Sequence, residues 1–230
     1  MRNYHHGCPG WDHQVKGDLM VMCDSNNMKC NGVMKVSLQS DNLYYTFGLS
    51  LLVNEVNSVL SKSPLYFLVG ESSSDSNEKN IIFRDMMVSV HLKKENRRWK
   101  NDNISPCKEI YHIPFGCRQN SLSEIMGKLE KILLIAHMDY SSFIRPENHK
   151  SIGLKDFRQL SLTECKVLLL IGKGYNIGHI SRMLNRSEKT INTHYRNTIR
   201  KLGMLNRAEF YKYASFIAHG ASKDCNTLCL

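Results

Sequence analysis

No stretch of this chain approaches the run of about 20 apolar residues that crosses a bilayer. Its first twenty residues are polar and carry three His, without the apolar core of a secretory signal. A membrane partner is therefore not expected, and the chain reads as cytoplasmic. Its eight cysteines include no Cys-x-x-Cys pair. Cys8, Cys23, Cys30, Cys107, Cys117, Cys165, Cys225 and Cys229 are scattered, as reduced thiols are, rather than arranged as a disulfide framework. Cys225 and Cys229 share a helical spacing, and His5, His6, Cys8 and His13 cluster loosely. Neither group makes a full tetrahedral set, so no metal and no cofactor is expected. Also missing is an acidic constellation, or a Ser or Tyr nucleophile with basic partners at a recognisable spacing, so the chain is not expected to be an enzyme. With 42% hydrophobic and 23% charged residues, disorder is excluded as well.

Acids are scarcer than bases, leaving a net charge of +10 that is unevenly placed. Residues 156–220 hold eleven Lys or Arg against four Asp or Glu, whereas residues 1–138 hold sixteen against fourteen. A local positive field of this kind attracts a polyanion and releases its counterions.

Within that basic segment, Ser187 to Gly203 describes a helix with two opposed faces. At about 100° per residue, Ile191, Tyr195, Thr198 and Leu202 fall on one side. Lys189, Asn192, Thr193, Arg196 and Arg200 share an arc of roughly 100° on the other, and that arc carries no acid. Ser187 is a natural N-cap and Gly203 a natural stop. Upstream, Ser161 and Glu164 form a capping box ahead of an apolar helix that ends at Gly172-Lys173-Gly174. Asn176 caps a second helix with Ile177, Ile180, Met183 and Leu184 at helical spacing, and Asn185 to Ser187 separate it from the basic helix. This is a helix-turn-helix in outline. A fourth helix from Asn206, boxed through Glu209, runs past Phe210, Tyr213, Ala214 and Ile217 to Gly220.

Residues 160 to about 217 resemble the four-helix DNA-binding domain of LuxR-type (NarL/FixJ) bacterial transcription regulators. The matching positions include Leu160, Glu164, Val167, Leu168, Gly174, Ile180, Leu184, Ser187, Thr190, Ile191, His194, Asn197, Lys201, Leu202, Gly203 and Arg207. The resemblance implies a sequence-specific DNA-binding transcription regulator whose third helix enters the major groove of double-stranded DNA, with Asn192, Thr193 and Arg196 at base edges. Ser187, Lys189, Thr190, Asn197, Arg200 and Lys201 complete the implied DNA-binding set, at phosphates or beside the groove. It also implies a dimer, as a homodimer or a heterodimer with another LuxR-type regulator. The departures are Lys166 and His179 where the family usually has Glu, and Thr198 where it is usually apolar.

The amino-terminal part reads as an α/β layer with a mostly parallel sheet. Val36 and Leu38 alternate as in a strand, Gly48–Leu60 is an amphipathic helix, and Leu65–Val69, Ile81–Phe83 and Glu109–Phe115 are strand-like. A helix spans about Ser123 to His137. The Ser/Asp/Asn stretch 71–80 and the charged segment from Lys93 through Arg97 and Arg98 to Lys100 read as loops. More weakly, this order resembles a phosphoacceptor receiver domain. Asp41 follows the first strand, and Asp85 stands near the phosphoacceptor position. The resemblance is degenerate: Ser40 replaces the first acid, Arg118 replaces the Lys, and the 33 residues from Asp85 to Arg118 are too few for the remaining elements. A response regulator switched by phosphorylation of Asp85 is thus the alternative reading. Tyr44, Tyr45, Phe47, Tyr66 and Phe67 are candidates for a ligand pocket or for core. The expected fold class is two domains, α/β and then all-α. Residues 1–33 form a flexible extension, 34–138 the receiver-like domain, 139–159 a linker, 160–220 the helix-turn-helix domain and 221–230 a tail.

Overall fold

The computed structural model describes residues 34–60, 65–69, 80–94, 108–117, 120–220 and 225–230. The expected extension 1–33, the loop stretch 71–79, the charged segment 95–100, Tyr66's side chain and Arg118 lie outside the described residues. Five strands form one sheet: β1 (Met34–Gln39), β2 (Leu65–Val69), β3 (Ile81–Arg84), β4 (Met87–Lys93) and β5 (Lys108–Pro114), in the order β2-β1-β3-β4-β5. That is the strand order of a doubly wound sheet. β1 pairs parallel with β2 and β3, while β4 is antiparallel to both β3 and β5. Four of the five strands therefore run the same way, as expected, and β4 alone is reversed. The reversal follows from the two-residue turn Asp85-Met86 between β3 and β4, because a parallel return needs a crossover of a dozen or more residues. The shortage of chain between Asp85 and Arg118 is resolved by this hairpin. β4 itself carries no clean alternation to announce it: Met87, Val88, Ser89, Val90, His91 and Leu92 are all buried.

Val36, Leu38, Ile81, Phe83, Val88, Val90 and Ile113 turn to one face of the sheet, where they pack with α1 (Leu43–Val59) and α2 (Leu122–Ala136). α1 begins five residues before the expected Gly48, at an N-cap made by the Asn42 side chain, which accepts from the Tyr45 amide. Apolar periodicity hid this start because Leu43, Tyr44 and Phe47 are exposed. Of the aromatics read as pocket or core, the four whose side chains are described do not converge: Tyr44 and Phe47 are exposed, while Tyr45 and Phe67 pack against the core.

The expected linker is structured. Residues 139–159 carry α3 (Tyr140–Phe143), α4 (Pro146–Ser151) and a 3-10 turn at Asp156–Arg158, and they bury Phe143, Ile152 and Leu154 in the α/β core. Three large apolar side chains in a short polar segment have no period to reveal them, but each has core to gain. The helical part consists of α5 (Leu162–Gly172), α6 (Ile177–Met183), α7 (Glu188–Leu202) and α8 (Arg207–His219). Its core holds Val167, Leu168, Ile180, Ile191, Phe210, Tyr213 and Ala214. α5 and α8 meet at backbone distance: a Cβ on Gly172 would stand 2.1 Å from the Ala214 carbonyl oxygen. Gly172 is thus a contact surface as well as part of a stop signal.

Candidate nucleic-acid interface

Each corner of the helix-turn-helix ends on a left-handed residue: Gly174 (φ 89°), Asn185 (φ 51°) and Gly203 (φ 65°). In each, the next amide reaches back to a carbonyl of the last turn, as Arg186 does to Ser181 at 2.9 Å and Met204 to Ile199 at 3.2 Å. Glycine and asparagine tolerate this conformation, and the wrapped hydrogen bonds satisfy the helix ends. Asn185 sets the α6–α7 corner, a role beyond that of a spacer. At the starts, Ser161 makes the expected capping box with Glu164, Asn176 accepts from the His179 amide, and Ser187 accepts from the Thr190 amide at 3.1 Å. The box expected at α8 is displaced. Asn206 accepts from the Glu209 amide, but the Glu209 carboxylate bonds to the Leu205 amide at 3.0 Å.

α7 presents the two faces read from sequence. Ile191, Tyr195, Thr198 and Leu202 are buried, and Tyr195 meets Phe210 edge-on at 5.1 Å. Thr198, a polar residue in an apolar position, donates its hydroxyl to the His194 carbonyl at 2.8 Å, which removes the cost of burying it. Ser187, Lys189, Thr193, Arg196 and Arg200 are exposed; Thr190, Asn192 and Asn197 are partly so. Thr193 donates to the Lys189 carbonyl at 3.0 Å, and Arg200 donates to the Asn197 side-chain oxygen at 3.3 Å, so the arc is partly ordered before any contact is made.

Lys201, another member of the expected set, has partners inside the domain. Its Nζ lies 2.8 Å from Glu164 Oε2 and donates to the Gln159 carbonyl at 2.8 Å. Its place in the sequence, one step past Arg200, turns it about 100° off the basic arc and onto the start of α5. Burial alone would raise the Glu164 carboxyl, but the hydrogen bonds from Lys201 and Ser161 and the Lys201 charge outweigh it and hold the group below its ordinary value. Lys201 therefore has a framework role, holding the start of α5 to the end of α7.

Contacts absent from the sequence reading tie α8 to the sheet. Arg84 lies over the Phe216 ring at 4.9 Å and donates to Ser89 Oγ at 3.1 Å, and Ser89 Oγ lies 3.0 Å from His112 Nδ1. Burial, and then the Arg84 charge, push the His112 imidazole down to about 4. Tyr213 donates toward the His112 carbonyl and Thr227 Oγ1. Of the expected tail, residues 225–230 form a strap: His112 and Thr227 bridge in parallel at the edge of β5, Leu228 and Cys229 are buried, and Gln159 bonds both to the Cys229 carbonyl and from its amide. Covering an edge strand removes a template for unwanted pairing. Asp85 stands exposed in the β3–β4 turn, and among the described residues no three His, Cys, Asp or Glu side chains converge as a metal site would require.

Residues 158–214, the segment that holds all four helices up to the middle of α8, match the model of bacterial regulatory proteins of the luxR family. This segment belongs to the luxR family. The uncharacterized protein YjjQ of Escherichia coli O157:H7 is 41% identical over 54 residues, and the match spans 24% of this chain and 22% of that protein. Among solved structures, an RcsB response regulator of Salmonella typhimurium is similar at 16% identity and a TM-score of 0.29, covering 80% of this chain and 98% of that one. A structure of RcsB dimers bound to two parallel DNAs is similar at 14% identity and a TM-score of 0.31, covering 82% and 100%. The luxR-family segment contains every candidate residue of α7 and excludes Asp85.

Proposed function

We propose that this chain is a sequence-specific DNA-binding transcription regulator. The observation that carries the reading is the acid-free exposed arc of α7 within a luxR-family segment: Lys189, Thr193, Arg196 and Arg200 face outward on a helix whose other side is fully committed to the core. A helix about 10–12 Å across fits the major groove. With α7 in that groove, Asn192, Thr193 and Arg196 reach base edges, and Arg196 can span O6 and N7 of a guanine with its planar fork. Ser187, Lys189, Thr190, Asn197 and Arg200 are assigned to phosphates, where they set register rather than sequence. The α/β module of residues 34–154 carries this domain and performs no reaction in this reading.

One such helix covers a short half-site, so the protein acts as a dimer over two half-sites about one helical turn apart. Selection of bound duplexes from a random pool tests binding, half-site length and symmetry together. Arg196→Ala is expected to relax preference at one position by about 1–3 kcal/mol while leaving thermal stability unchanged. Unchanged discrimination by this variant would remove Arg196 from the base-reading set, and indifference of the wild type to duplex at low salt would remove the function. A second reading, phosphorylation at Asp85, draws on Asp41 and Asp85 lining one cavity. Intact mass after incubation with acetyl phosphate and Mg²⁺ decides it.

A further inference from the structure

A cavity of ≈ 910 Å³ lies between the carboxyl ends of β1, β3 and β5 and the α7–α8 corner. In open α/β sheets, ligands bind beyond the carboxyl ends of the strands where the strand order turns back, which here is at β1 between β2 and β3. The volume is within the range of small-molecule sites. One wall comes from the sheet and α2, including Arg84, Met86 and Lys128, and the other from Leu202, Met204 and Phe216 of the helical part.

The charges on these walls are sorted by depth. Asp41 and Asp85 are exposed, and the Glu209 carboxylate is engaged by the Leu205 amide. Lys128 is half-buried, and burial pulls its ammonium below the ordinary lysine value, as it does the Arg84 guanidinium. The acid one turn before Lys128, Glu124, acts on it through charge alone, because its carboxylate is hydrogen-bonded by the Ser121 amide and hydroxyl in capping α2. The ion pair recorded among the described residues, Lys201–Glu164, involves neither Lys128 nor Arg84. A half-buried cation with no acid at ion-pair distance is costly, and an anion beside it lowers the cost. The apolar surface of Met86, Met204 and Phe216 supplies the rest of a ligand site: a few fixed polar groups on an apolar wall.

We propose that this cavity binds a small organic anion, its acid group paired with Lys128 in the field of Arg84 and its apolar body against Met86, Met204 and Phe216. A bound molecule touches both the sheet and the α7–α8 corner, so it braces the helical part against the α/β module. The site is independent of the DNA reading and is tested without duplex.

Carboxylates and phosphate esters share this chemistry, so the probes are 1-naphthoate and 1-naphthyl phosphate, with neutral 1-naphthamide as control. They are titrated into the full chain by ligand-observed NMR. At least one anion is expected to bind with a Kd of about 1 mM or tighter and at least about tenfold more tightly than the amide. The tighter of the two anions identifies the acid group. Lys128→Met should abolish that preference while leaving amide binding unchanged, and Lys128→Arg should keep it. Absence of saturation by both anions, equal affinity for anion and amide in the wild type, or an anion preference that survives Lys128→Met overturns the proposal. The wild-type comparison stands even if a variant fails to fold.

Discussion

Replacing Lys201 by Met separates a framework role from a DNA-contacting one. The ammonium is 2.8 Å from a carboxylate whose side chain is 5% exposed, while its own side chain is 20% exposed. Met keeps the apolar stem along the same path and leaves Glu164 with Ser161, whose amide is 2.8 Å away, as its hydrogen-bond partner. Removing one partner of a fully buried pair costs about 3–5 kcal/mol. Because water reaches the Lys201 end, about 2–3 kcal/mol is the appropriate range here. For a chain of this length each kcal/mol moves Tm by about 2–4 °C, so a drop of roughly 5–10 °C is expected in thermal unfolding at pH 7. The pH dependence has a definite sign. The folded Glu164 carboxyl is held below its ordinary value, so the pair's contribution is present above the unfolded carboxyl's pKa of about 4.3. It is lost as pH falls through the folded value. The gap between wild type and Lys201→Met should therefore narrow on acidification below about pH 4. Well below its Tm, the variant should bind duplex with the wild-type salt slope, because no phosphate contact has gone. An unchanged Tm together with a salt slope smaller by about one would refute this reasoning and return Lys201 to the DNA-binding set.

Gly172→Ala puts a methyl 2.1 Å from a backbone oxygen and 2.7 Å from the Ala218 Cβ; α5 and α8 must part, and urea unfolding should show a loss of about 1–3 kcal/mol or more. Here the glycine's role is close approach, so Gly172→Ser should be no better. His112, held near 4 when folded against about 6.5 when unfolded, binds fewer protons in the native state between those values. Its contribution to stability is complete above about pH 6.5 and is lost as pH falls toward 4. His112→Gln should flatten the fall in urea midpoint between pH 6.5 and 4 by the equivalent of about 1–3 kcal/mol; an undiminished fall would show that another group is responsible.

Local chemistry alone was enough to write down the helix-turn-helix. Its caps at Ser161, Asn176 and Ser187, its stop at Gly203, and the split between Ile191-Tyr195-Thr198-Leu202 and the basic arc are all short-range signals, and the structure reproduces each of them. The α/β class and the common direction of β1, β2, β3 and β5 were legible for the same reason, through alternation and helical period. What tertiary structure decided depends on partners far apart in the chain. The pairing of β4 with β5 and the burial of Phe143, Ile152 and Leu154 in the α/β core both need such partners. The inward turn of Lys201 needs Glu164 and Gln159, and the strap at Thr227 needs the edge of β5. Periodicity reports only which side of an element a residue occupies. What stands opposite that side is set by packing, and here packing gave Lys201, one of the expected DNA contacts, partners within the domain.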